Sequence, residues 1–238
     1  MAEIACVMSD GHQQGTHEPW ESLPKGFADH LHGEAGCSGS VTDLAIVEAR
    51  SVLDHEPTII VDLGPGTGVG SVALAEEFTD AHVHGIDIST ELLQRCLDTV
   101  GEAGLRDDFS VHEANLSDSW SLLIPGPADL VWAALSLHHV SDPSAALREA
   151  FTALRPGGVL VLVELPASAQ SGGAAKSHAD AHHPSHRHGD SHGHRHPGTE
   201  VNWHDRLVEA GFTVQRQRSA AFDMHGSPQH REIWIATR

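Results

Sequence analysis

Apolar and polar positions fall into alternating blocks through the middle of the chain. Five short runs rich in Val, Ile and Leu read as strands: TIIVDL (58–63), HVHGIDI (82–88), FSVHEANL (109–116), ADLVWAAL (128–135) and VLVLVEL (159–165). Between them, VGSVALAEEF (69–78) and TELLQRCLDTVGEAG (90–104) carry helical spacing. Asp142 followed by Pro143 opens a further helix, which LRPGG ends. Continuous apolar strands separated by helices predict an α/β fold, with a mostly parallel, doubly wound sheet covered on both faces.

The flanks are less regular. Ser40-Val41-Thr42-Asp43 has the capping-box form, predicting a helix to about Leu53 before Pro57. Residues 1–39 show only isolated apolar anchors, Trp20, Leu23, Phe27 and Leu31. They read as a tail with one short helix, set apart from a domain at 40–238. Between about 166 and 198 periodicity disappears into Ser, Gly, Ala and His, as expected of an inserted flexible loop. Thr199 can then cap a helix ending at Gly211. FTVQRQRSAAF and HREIWIATR, separated by Gly226-Ser227-Pro228, are close enough to pair as antiparallel strands.

Composition narrows the function classes. A length of 238 residues fits one large domain with elaborations. A formal charge of -19 opposes approach to phosphate backbones and argues against a nucleic-acid partner. Three cysteines, Cys6, Cys37 and Cys96, form no CxxC and leave an odd thiol, which fits a reducing compartment. With no secretory-type start and no run approaching the ~18 apolar residues of a membrane span, the expectation is a soluble, cytoplasmic protein without a membrane partner.

The strongest chemical signal is Asp62-Leu63-Gly64-Pro65-Gly66-Thr67-Gly68, a glycine turn between a buried strand and a helix. Such a turn lets backbone pass close under a ligand and presents unpaired amides at a helix start. The dinucleotide spacing GxGxxG is not met, because its third position falls on Val69 or Ser71. Asp87, at the end of the second strand, sits where a carboxylate can accept both ribose hydroxyls.

Through VDLGPGTG, HGIDIS, ADLVWAALSLHHV and ALRPGGVLVLVE, residues 58–165 resemble the class I S-adenosylmethionine-dependent methyltransferases, and the LHHV-like loop resembles the small-molecule type. The resemblance implies a Rossmann-like sheet of seven strands in the order 3-2-1-4-5-7-6, the last antiparallel. It implies S-adenosylmethionine as cofactor, its methionine portion wrapped by Gly64, Pro65, Gly66, Thr67 and Gly68 with Asp62 beneath its amino group. Asp87 would hold the ribose, and Ile88 and Leu116 would cover the two adenine faces. Asn115 stands where the family often has an acid that accepts from the adenine amino group. Backbone at Ala133 or Ala134 would reach the methionine end.

Methyl transfer from a sulfonium is an in-line displacement, so alignment is the main requirement and the catalytic residues are left unassigned. If a base is used, His138 and His139, after the fourth strand, are the candidates. The acceptor is expected to be a small molecule, with Trp20 and Phe27 either part of a lid over it or simple edge packing. Eight histidines between His178 and His196 offer weak divalent-metal binding, with no fixed spacing that assigns a metal site. The rival reading is a metal-handling or regulatory protein that keeps the fold as a binding module.

Overall fold

The computed structural model describes residues 26–166, 202–224 and 226–238. Seven strands form one sheet in the order β3-β2-β1-β4-β5-β7-β6. They are β1 (Ile59–Leu63), β2 (His82–Asp87), β3 (Phe109–Glu113), β4 (Ala128–Ala134), β5 (Leu154–Glu164), β6 (Thr213–Met224) and β7 (Ser227–Thr237). The first five pair in parallel, and β7 runs antiparallel to both β5 and β6, as the resemblance implied.

Alternate strand residues feed two cores. Ile60, Leu130, Trp132, Val161 and Ile235 pack with α2 (Gly39–Arg50), α3 (Val69–Glu77) and α4 (Thr90–Glu102) on one face. Val61, Val131, Leu160, Leu162 and Trp234 pack with α5 (Pro143–Ala153) and α6 (Trp203–Glu209) on the other. Coverage on both faces explains why the central strands are apolar at consecutive positions. Asp142 caps α5 through Ala145 N–H, 2.9 Å, with Pro143 at the first turn, as the sequence predicts.

Three expectations at element ends need correction. No capping box forms at Ser40: α1 (Phe27–Cys37) runs almost directly into α2, whose N-cap is Ser38, so Val41 N–H and Thr42 N–H already donate to the Ser38 carbonyl. That helix ends at Arg50, short of Leu53. LRPGG is not only a stop, because Leu154 pairs with Ala128 and a register shift carries β5 on to Val159. Asn202 caps α6 by accepting from Asp205 N–H, while Thr199 lies outside the described residues. So do Trp20, Leu23, Cys6 and the His178–His196 stretch.

At the end of the sheet away from the glycine turn, Asp129 ties β4 to β1 and β5. Its carboxylate accepts from Thr58 N–H at 2.8 Å, Ile59 N–H at 3.1 Å and Arg155 Nε at 2.8 Å. Burial alone would raise its pKa, but these bonds and the Thr58 hydroxyl hold it down to about 2. A folded pKa below the unfolded ~3.9 stabilises fully above pH ~4, and that stabilisation is lost as pH falls toward 2. Asp129→Ala is therefore expected to cost about 2 kcal/mol in urea unfolding at pH 7, since Thr58 N–H, Ile59 N–H and the Arg155 guanidinium, which Asp54 still partners, all lose a charged acceptor. The gap from wild type should narrow between pH 4 and pH 2, and a pH-independent gap would contradict the assignment.

Candidate active site

The cleft opens at the carboxyl ends of the parallel strands, where β1 and β4 lie side by side and the order of connection reverses. It has a volume of about 470 Å³. Its walls bring together Asp62, Gly64, Pro65, Gly66 and Thr67 from the glycine turn, Asp87 and Ile88 from the end of β2, and Asn115 and Leu116 from beyond β3. These residues are up to 54 positions apart in sequence, from Asp62 to Leu116, and meet because parallel strands align their carboxyl ends. α1 and the start of α2 cover part of the opening through Leu31, Glu34, Ala35, Ser38 and Thr42. His32 Nδ1 lies 3.3 Å from Thr67 Oγ1, so α1, placed in the tail by sequence, touches the glycine turn.

Backbone geometry explains the glycines. Gly64 has φ +69°, and a Cβ there would come within 2.5 Å of the Ser136 Cβ. Gly66, at φ +54°, faces open space, so its missing side chain keeps the cleft floor clear rather than relieving a clash within the protein. Gly68, which also belongs to the predicted set, does not line the cleft. It caps α3 at φ +87° and lets the turn approach Cys96, whose backbone a Cβ would meet at 3.0 Å.

Two of the carboxylates lining the cleft are shifted by burial. Asp62 is buried and accepts from the Ser71 hydroxyl at 2.6 Å. Burial pushes its pKa up to about 7, with the Ser71 bond opposing and the Asp87 charge adding to the rise. Asp87 is also raised by burial, opposed by backbone hydrogen bonds from Ser89 and Ile88. Ser89 N–H donates to Asp87 Oδ1 at 2.9 Å, which fixes the carboxylate at the mouth of β2. Both acids thus carry desolvation costs that a cationic or hydroxyl-bearing ligand would relieve. Asn115 Oδ1 accepts from Ser117 N–H at 2.9 Å, leaving a second lone pair on that oxygen.

The loop after β4 separates the two candidate histidines. His138 is not among the residues lining the cleft: its Nδ1 lies 2.6 Å from Glu164 Oε2. Glu164, fully buried at the end of β5, also accepts from Leu137 N–H at 3.0 Å and His138 N–H at 3.3 Å, so this pair fixes the loop. His139 does line the cleft, with its ring centroid 3.8 Å from that of His138. Ala133 is fully buried in the opposite core, and Ala134 lines the cleft in its place. One-residue alternation along β4 accounts for the difference between the two. Leu135 follows with φ +56°, a conformation costing about 1–3 kcal/mol for a residue with a side chain and common at ligand clamps.

Arg231 and Glu164 escaped the sequence reading, although the signal is there. Arg231 shares its strand face with the buried Ile233 and Ile235, and Glu164 follows the buried Leu160 and Leu162 at two-residue spacing. A charge where the alternation calls for an apolar residue marks a polar position facing inward. Arg231 lines the cleft.

Residues 61–162 match the family described as a methyltransferase domain. A malonyl-[acyl-carrier protein] O-methyltransferase of Dechloromonas aromatica is 36% identical over 117 residues, 49% of this chain and 40% of that protein. A 27-O-demethylrifamycin SV methyltransferase of Amycolatopsis mediterranei is 38% identical over 104 residues, 43% of this chain and 37% of that protein. The matched stretch thus spans less than half the length of these relatives. A solved S-adenosylmethionine-dependent methyltransferase from Clostridium acetobutylicum shares the fold at TM-score 0.60 and 14% identity, covering 82% of this chain and 89% of that one. Residues 61–162 therefore carry a methyltransferase domain, on a fold shared with solved S-adenosylmethionine-dependent methyltransferases.

Proposed function

We propose that this protein transfers a methyl group from S-adenosylmethionine to a small-molecule acceptor. The observation that carries this reading is the convergence of the glycine turn, the buried Asp62, the half-buried Asp87 and the Asn115-Leu116 pair on one cleft at the carboxyl ends of the sheet. The names of the two relatives, one acting on an acyl-carrier-bound malonyl group and one on a rifamycin, favour the same reaction class. When bound, the cofactor supplies a methyl group already activated on a positively charged sulfur, so the protein's task is to hold and align.

In this reading Asp62 faces the amino group of the methionine portion, Asp87 accepts the ribose hydroxyls, and Ile88 and Leu116 pack on the adenine. Asn115 offers its remaining lone pair to the adenine amino group. Gly66 leaves room for the ligand to lie against backbone. In the same reading His139, at the cleft wall, meets the acceptor, while His138 positions the loop through Glu164; the lining of the cleft and the His138–Glu164 contact support this.

A cytoplasmic location belongs to this proposal, as does an acceptor that is not a nucleic acid. Among the described residues no helix is long and apolar enough to cross a membrane. The metal-handling alternative lacks support: among the described residues no group of three or more potential ligands could hold a metal ion, and the relatives' names are those of methyltransferases. Weak metal binding by His178–His196 concerns residues outside those described.

The test is acceptor-dependent release of S-adenosylhomocysteine from S-adenosylmethionine across phenols, carboxylic acids, amines and thiols. At least one class should raise release well above the solvent background. A protein that binds the cofactor yet shows no rise with any class would overturn the reading.

The raised pKa of Asp62 adds a pH dependence. A ligand ammonium binds best to the ionised acid, so cofactor affinity should fall as pH drops below about 7, by up to about tenfold per unit. Calorimetry at pH 5.5, 6.5 and 8 should show that trend in wild type and a flatter one in Asp62→Asn. The sign for folding is opposite. A carboxyl with a raised folded pKa favours the fold below its unfolded value near 4, and that contribution is lost as pH rises through about 7.

A further inference from the structure

Arg231 is 7% exposed, yet it forms no ion pair among the described residues. Its Nη1 donates to the His230 carbonyl at 2.9 Å, its guanidinium stacks over the Phe222 ring at 4.9 Å, and its buried Nε has no hydrogen-bond partner. The stacking and the backbone bond hold the group in place without neutralising it. A buried guanidinium with donors to spare is costly unless an anion meets it.

The surroundings say where that anion would come from. Arg231 lies on β7 and lines the same cleft as Asp87, together with Met224 of β6 and Glu34 of α1. Glu34 and Glu164 are near enough to act on its charge and oppose the lowering of its pKa by burial. Neither is bonded to it: Glu164 is taken up by the Leu137–His138 loop, and Glu34 pairs with His30 Nε2 at 3.5 Å. The cofactor residues cluster on β1, β2 and beyond β3, whereas Arg231 enters from the β6–β7 side of the sheet.

We propose that Arg231 anchors a carboxylate of the acceptor, so that the substrates of this protein are small carboxylic acids or carry a carboxylate. This rests on the methyltransferase reading and names its substrate class. The guanidinium fork matches a carboxylate in two parallel bonds. A singly charged group is favoured over a phosphate dianion, because Glu34, Glu164 and Asp87 already place negative charge around the cleft and repulsion grows with ligand charge.

The test is calorimetric titration of the protein saturated with S-adenosylhomocysteine, using benzoate, hexanoate and glutarate, the matching primary amides, and phenyl phosphate. At least one carboxylate should bind at least tenfold more tightly than its amide and than phenyl phosphate. Arg231→Met, which keeps an unbranched apolar stem without the guanidinium, should lose that preference while holding S-adenosylhomocysteine within about twofold of wild type. Glu34→Gln should leave carboxylate affinity equal or stronger.

Equal binding of acids and amides, no binding of any acid, or tighter binding of phenyl phosphate would overturn the proposal while leaving the methyltransferase reading intact. Weakened S-adenosylhomocysteine binding in Arg231→Met would also overturn it, assigning the cation to the cofactor's own carboxylate. Loss of carboxylate affinity in Glu34→Gln would overturn it in favour of a tether for α1. Failure of the wild-type protein to bind S-adenosylhomocysteine would instead sink the underlying functional reading.

Discussion

Asp87→Ala is expected to weaken S-adenosylmethionine binding about 100-fold while leaving the fold in place. Each charge-assisted hydrogen bond to a ligand hydroxyl is worth roughly 1.5–3 kcal/mol, and a carboxylate at a strand end can accept two. Only part of that sum appears as lost affinity, because alanine also removes the desolvation cost that burial imposes on the Asp87 charge. For the same reason the variant should unfold at the same or slightly higher denaturant than wild type. Calorimetry and urea titration together check the pair of outcomes. An unchanged affinity would remove Asp87 from the site, and a large loss of stability would make it a structural acid.

The second large effect separates two glycines of one turn. Gly64→Ala combines a left-handed backbone, at φ +69°, with a Cβ 2.5 Å from that of Ser136. Conformational strain of about 1–2 kcal/mol and overpacking of about 1–3 kcal/mol predict a loss of several kcal/mol in stability, with cofactor binding gone as the loop after β4 is displaced. Gly66→Ala meets nothing within 4 Å, so only the strain remains and the protein should stay folded. Its methyl group would nevertheless occupy the cleft floor, and affinity should fall at least tenfold. If Gly66→Ala bound the cofactor as wild type does, the ligand would not lie over this turn.

Much of the arrangement was legible because parallel α/β folds write themselves locally. TIIVDL and ADLVWAAL are apolar at successive positions, as strands buried on both faces must be, and Asp142-Pro143 announces a helix start by its own chemistry. The glycine turn and Asp87 were readable for a similar reason, since a site at strand ends draws on residues adjacent to strong sequence signals. What escaped depends on long-range contact. The choice between Ala133 and Ala134 turns on which face of β4 each residue occupies, and a run apolar on both faces hides that alternation. His138 and His139 look equivalent in sequence, and they part only because Glu164, 26 residues away, claims the first. The continuity of α1 with α2 was hidden by Ser40 and Asp43, residues suited to a cap that lie within the helix once Ser38 takes that place.

The most direct test of the central claim is calorimetric titration of chelator-treated protein with S-adenosylmethionine and S-adenosylhomocysteine. Each is expected to bind at one site per chain without added metal and to displace the other. Absence of binding by both, or binding that appears only when zinc or nickel is restored, would contradict that claim.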